Sequence, residues 1–155
     1  MTPEQKARID ALKTLNFRRL QREAVEQALS EAGFHPVMVA DDRVERLLAA
    51  LRRSSPVDAL LEDHNWQRTV TRFVDGRFGV TIGPLWDWEG TNPPYRFAAV
   101  SLLSRIDQLS LLYPSGLWLV DDNDRDALVV DFEMNEDAGL VVARLRELRL
   151  ADAEN

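Results

Sequence analysis

The sequence predicts a single α+β domain over residues 1–155, with N-terminal helices and a C-terminal helix packed on an antiparallel sheet containing 66–82 and 117–133 hairpins. Three observations point there. Helical spacing of apolar residues fills the first fifty positions, β-rich runs broken by turn residues fill the middle, and no linker or repeat divides the chain. With 155 residues, 45% hydrophobic and 29% charged, the composition is that of a globular domain able to bury a core.

Thr2-Pro3-Glu4-Gln5 has the form of a capped helix start, with Thr as N-cap, Pro in the first turn and Gln three residues on. Ile9, Leu12 and Leu15, then Leu20, Ala24, Ala28 and Leu29, continue at helical spacing. Asn16 is expected to separate two helices, and Gly33 to terminate the second. His35 precedes a proline, which leaves room for only a short extended piece before Asp42 and Glu45 offer a second capping box for a helix through about Arg53. Pro56 in "SSPVD" suggests a third short helix.

"WQRTVTRFV-DG-RFGVTI" reads as two strands joined by Asp75-Gly76 in a type I′ turn. That hairpin would carry Arg68, Arg72 and Arg77 as a basic stripe on one face. "YRFAAVSLLSRIDQLSLLYPSG" reads as mainly helical, with first residues that also suit a strand. "LWLV" and "ALVVDFE" read as strands, with Leu128, Val130 and Phe132 on one face. Asn135-Glu136-Asp137 would cap a final helix, "AGLVVARLREL".

Charge is the most distinctive feature. From Asp121 to Asp137 lie eight acids (Asp121, Asp122, Asp124, Asp126, Asp131, Glu133, Glu136 and Asp137) against Arg125 alone, so this segment carries the whole net charge of −7. The 26 acids and 19 bases of the chain leave 18 of each elsewhere. Direct nucleic-acid binding is disfavoured, because it requires a cationic footprint. A basic protein partner, or a cation, is the natural counterpart.

Counted from Asp122, the spacing D-x-D-x-D-x₆-E runs through Asp124 and Asp126 to Glu133, with Val129 at the apolar eighth position. It resembles the EF-hand calcium loop over these twelve residues, which implies calcium held by Asp122, Asp124, Asp126 and Glu133. Ala127 stands where that loop requires glycine, and the preceding segment is β-like rather than helical. No other cofactor is expected.

"WDWE" sets Asp87 and Glu89 beside Trp86 and Trp88 in a loop bounded by Pro and Gly. Paired carboxylates with sugar-stacking rings resemble glycoside-cleaving sites; equally, Trp86, Trp88 or Trp118 would serve as apolar anchors in a protein interface. His35 and His64 lack the spacing of a metal site, and no nucleophile elbow or phosphate loop is present. With zero cysteines there is no disulfide framework or thiol chemistry. The polar start and the lack of a long apolar run predict neither a secretory signal nor a membrane span, hence a cytoplasmic location.

In size, acidity, lack of cysteine and lack of a catalytic motif the chain resembles bacterial immunity proteins, which neutralise a toxin by covering its active site. The resemblance implies a non-enzymatic protein whose acidic hairpin enters a basic cleft, such as that of a nuclease toxin, with Trp86, Asp87, Trp88 and Glu89 as further contacts. A chaperone for a secreted effector, a calcium-binding module and a small hydrolase using Asp87 and Glu89 are the alternatives.

Overall fold

Helix α1 (Pro3–Glu31) begins where the capping box predicts, with the Thr2 side chain accepting from the Gln5 N–H and the Gln5 side chain accepting from the Thr2 N–H. It is one helix, not two: Asn16 sits in its middle. It ends in a Schellman arrangement, with Gly33 at φ 90°, Phe34 N–H bonded to the Leu29 carbonyl and Gly33 N–H to that of Ser30. The computed structural model describes residues 1–56, 61–63, 65–85, 93–135 and 140–150.

After α1 come β1 (Val37–Met38), α2 (Asp41–Arg52), β2 (Ser55–Pro56), β3 (Leu61–Asp63), α3 (Trp66–Val74), β4 (Gly79–Pro84) and β5 (Tyr95–Ala98). Two short helices, α4 (Ala99–Leu103) and α5 (Leu109–Leu112), flank a 3-10 turn at Ile106–Gln108. Strands β6 (Leu117–Asp121), β7 (Asp126–Asn135) and β8 (Leu140–Arg149) complete the described elements. All strand pairs are antiparallel, in the order β1-β5-β4-β6-β7-β8-β2, with β3 also pairing β8. The protein is a single α+β domain of helices packed on an antiparallel sheet.

The 117–133 hairpin forms as expected, but four local readings are corrected. The 66–82 hairpin does not form, because Trp66–Val74 is helix α3. Its buried residues, Trp66, Val70, Phe73 and Val74, recur at i, i+4, i+7 and i+8, which is a helical stripe, and packing on the sheet outweighs the β propensity of the run. Asp75-Gly76 still turns the chain, with Arg77 N–H bonded to the Val74 carbonyl. Asp75 has φ −62° and ψ 134° and Gly76 φ 82°, so the turn is type II rather than type I′ and joins a helix to a strand.

The predicted C-terminal helix is strand β8, paired with β7 from Asn135↔Leu140 to Asp126↔Arg149. Ala143 and Leu145 alternate into the core, and ten consecutive strand pairings outweigh the helix-favouring composition. "SSPVD" opens with β2 rather than a helix, and residues 57–60 lie outside the described set. Helix α2 starts at Asp41 after Ala40, with no side-chain cap bond from Asp42.

The helices occupy both faces of the sheet. Leu117 and Leu119 of β6 join the core under α3 and the C-terminal end of α1, whereas the alternating Trp118 and Val120 pack against Leu47 and Ala50 of α2. Trp118 is therefore a buried residue beneath α2 and not an interface anchor. Among the described residues, no helix is long and apolar enough to cross a membrane.

Candidate functional site: the acidic β6–β7 hairpin

The turn between β6 and β7 brings Asp121, Asp122, Asp124 and Asp126 together, but they do unlike jobs. Asp121 is 4% exposed. Its Oδ1 accepts from the N–H groups of Arg125 at 2.8 Å and Asp126 at 3.0 Å, and its Oδ2 lies 3.6 Å from Arg77 Nη1. It is the internal organiser of the turn. The Asp121 carbonyl also accepts from Asp124 N–H at 3.1 Å, and Asp124 takes the left-handed conformation at φ 57° that closes the loop, a conformation Asp tolerates better than most residues.

The other carboxylates point outward to arginines from remote segments. Asp122 receives Arg96 Nε at 3.0 Å and Nη2 at 2.9 Å, a bidentate pair. Arg96 reaches it from β5 by crossing β4 at Gly79, where any Cβ would collide with the guanidinium. Asp124 receives Arg43 Nη2 of α2 at 2.9 Å, while Arg43 Nη1 donates to Thr81 Oγ1 at 3.1 Å. Asp126 lies 3.6 Å from Arg77 Nη2 and 3.1 Å from Arg149 Nε, and Glu133 lies 3.3 Å from Arg144 Nη2. Asp131 is half-buried on β7.

This geometry separates the four residues of the EF-hand resemblance. Asp126 and Glu133 both lie in β7, seven residues apart, which is about 23 Å of extended chain. Calcium ligands stand about 2.3–2.6 Å from the ion, so one ion cannot engage both. Among the described residues, no group of three or more histidine, aspartate or glutamate side chains is arranged to hold a metal.

The arginines that meet the acids were the part sequence reasoning missed. Arg43 lies 81 positions from Asp124, and no local pattern announces the pairing. Of the predicted basic stripe, Arg68 and Arg72 lie on the exposed side of α3, while Arg77 follows the turn, its guanidinium 4.5 Å from the Phe73 ring centroid. Beside it, a cavity of about 250 Å³ is lined in part by Arg72, Arg77, Arg149, Asp126 and Glu147, a nearly balanced set of charges. Trp86, Asp87, Trp88, Glu89, His64, Glu136 and Asp137 lie outside the described residues.

Hydrogen bonding from Arg96 holds the Asp122 carboxyl below the ordinary carboxylate range, against a smaller upward push from desolvation. A depressed folded-state pKa contributes stability that is present above the unfolded value and lost as pH falls through the folded one. Asp122→Asn is therefore expected to flatten the acid limb of the stability profile below the usual carboxylate range. Urea midpoints across acidic pH would check this, and an unchanged slope would exclude the pair as a contributor.

Compared with protein-family models and with curated proteins, the chain matches none.

Proposed function

We propose that the chain is a non-enzymatic, cytoplasmic binding protein of the kind represented by bacterial immunity proteins, docking a basic protein toxin against the β6–β7 turn. One observation carries this reading. The carboxylates of Asp122 and Asp124 are held in fixed positions by Arg96 and Arg43, yet both side chains remain 36% exposed. A carboxylate has about four lone-pair sites, so a held one still accepts a second cation without having to be ordered first. Exposed ion pairs of this kind are worth about 0–1 kcal/mol, a small barrier to a partner's arginine or lysine. Asp131 and Glu133 would extend the surface along β7, and Glu136, Asp137, Trp86, Asp87, Trp88 and Glu89 complete the proposed contact set.

Neutralising both tip residues, in Asp122→Asn/Asp124→Asn, is expected to weaken capture of the partner about tenfold and to lower its salt dependence. The measurement is titration calorimetry against a basic protein that co-purifies with this chain, at two ionic strengths. Equal affinity and equal salt slope for both proteins would remove the turn from the interface. An effector chaperone is the second reading, favoured by the exposed apolar side of α1, since that class grips apolar segments; it requires a dimer.

A further inference from the structure

The first two-thirds of α1 stands clear of the body. From Pro3 to Leu20, about 27 Å of helix, every described side chain is exposed. Within it Ile9 is 40% exposed, Leu12 60%, Leu15 62%, Phe17 52% and Leu20 52%. The helix is held to the body farther along, through buried Leu29, partly buried Val25 and Ala32, and a hydrogen bond of 3.0 Å from the Tyr95 hydroxyl to Glu26. Val25 and Leu29 each lie nine residues, two and a half turns, beyond Asn16 and Leu20. The side of the helix carrying Asn16 and Leu20 therefore faces away from the body.

On that outer side the pattern is symmetric about Asn16. Leu12 and Leu20 stand four residues to either side along one seam, and Leu15 and Phe17 flank it one residue to either side. A two-fold pair requires a self-complementary surface, and few partners other than an identical helix run in reverse would match this one. We infer that α1 pairs with α1 of a second copy, antiparallel, with the two Asn16 residues at the two-fold axis. Leu12 of each copy then packs on Leu20 of the other.

Charge is divided: reversal sets Lys6 of one copy beside Glu26 of the other and Asp10 beside Arg22, but also Lys13 beside Arg19, so the apolar seam and not the charge carries the antiparallel sense. Asn16 Oδ1 accepts from Arg19 at 2.7 Å, which leaves its amide N–H groups to donate to the second lone pair of the other copy's Oδ1; a buried polar pair of this kind fixes register. At roughly 200 Å² per large apolar residue, Ile9, Leu12 and Leu20 on the seam offer about 300 Å² per copy, and Leu15 and Phe17, about 100° to either side of it, bring the pair to at most about 1,000 Å² as the flanks close. Specific interfaces begin near that size.

Analytical ultracentrifugation of the full chain over a wide concentration range, with oxidative cross-linking, tests the inference. The wild type is expected to reach the mass of two chains, and Leu12→Glu/Leu20→Glu to remain at one and to melt as the wild type does when diluted to the monomer, because both positions are exposed in the single chain. The chain has no cysteine, so introduced ones report register cleanly. Asn16→Cys should form a covalent dimer, Leu12→Cys alone should not, and a mixture of Leu12→Cys with Leu20→Cys should. A wild type that stays monomeric at every concentration overturns the inference, and binding of that monomer to phosphatidylserine vesicles would assign the face to a lipid surface. Self-cross-linking of Leu12→Cys as readily as Asn16→Cys overturns the antiparallel arrangement. A dimer indifferent to the double glutamate variant overturns the role of α1.

Discussion

Replacing Trp66 with alanine is expected to lower the unfolding free energy by about 3–5 kcal/mol, the largest effect of any single substitution considered for this protein. Trp66 is 2% exposed, opens α3 and meets the Phe132 ring edge-on, with centroids 4.8 Å apart and planes at 72°. Truncation removes the transfer energy of the indole, leaves a cavity between α3 and the sheet, and forfeits the aromatic contact. Urea unfolding with an unchanged m-value would measure it. The same experiment distinguishes helix from strand at 66–74. Thr71 is exposed on α3, so Thr71→Asp should stay within about 0.5 kcal/mol of wild type. In the hairpin that the sequence suggests, Thr71 would face Val80 on an apolar surface, and the charge would cost far more. A large loss for Thr71→Asp would contradict the helix.

Asp121→Ala is expected to cost about 3 kcal/mol, and Asp122→Ala about 1 kcal/mol or less. The neighbours differ only in what surrounds them. Removing the Asp121 carboxylate strands two backbone N–H groups of the turn and takes a partner from Arg77, all around a site that is almost closed to water. Unsatisfied buried donors keep their desolvation penalty without compensation. Removing Asp122 frees Arg96 at a half-open surface where water replaces the lost bonds. Asp121→Asn should recover part of the loss, because its amide oxygen still accepts from the turn. Equal costs for Asp121→Ala and Asp122→Ala in urea unfolding would refute this division of roles.

The two tests meet at the acidic hairpin, where the charge count and the structure speak differently. Eight acids against one base in seventeen residues imply a strong negative field. In the fold, Arg43, Arg77, Arg96, Arg144 and Arg149 approach from α2, the α3–β4 turn, β5 and β8 and take up much of it. The pairs made by Arg43, Arg77, Arg96 and Arg149 tie those elements to the β6–β7 turn, and Arg144 joins β8 to Glu133 farther along β7. On the proposed reading a basic partner would add to existing ion pairs, through a few fixed contacts at Asp122 and Asp124 more than through long-range attraction.

By itself the sequence determined the features that depend on neighbours a few residues away. Thr2 and Gln5 cap α1, and Gly33 ends it, because caps bond within one turn. The alternation of Leu128, Val130 and Phe132 specified β7, and Asp121 to Arg125 specified a turn between it and β6. The α+β class followed from those patterns. Only the tertiary structure decided that 66–74 is a helix and 140–149 a strand. Intrinsic preferences differ by no more than about 1 kcal/mol per residue, and burying Trp66 and Phe73 or pairing β8 along β7 exceeds that. Tertiary structure also decided what the acids do, since the arginines that meet them come from other segments, tens of residues away in most cases. Coulomb energy depends on distance in space, which local sequence does not encode.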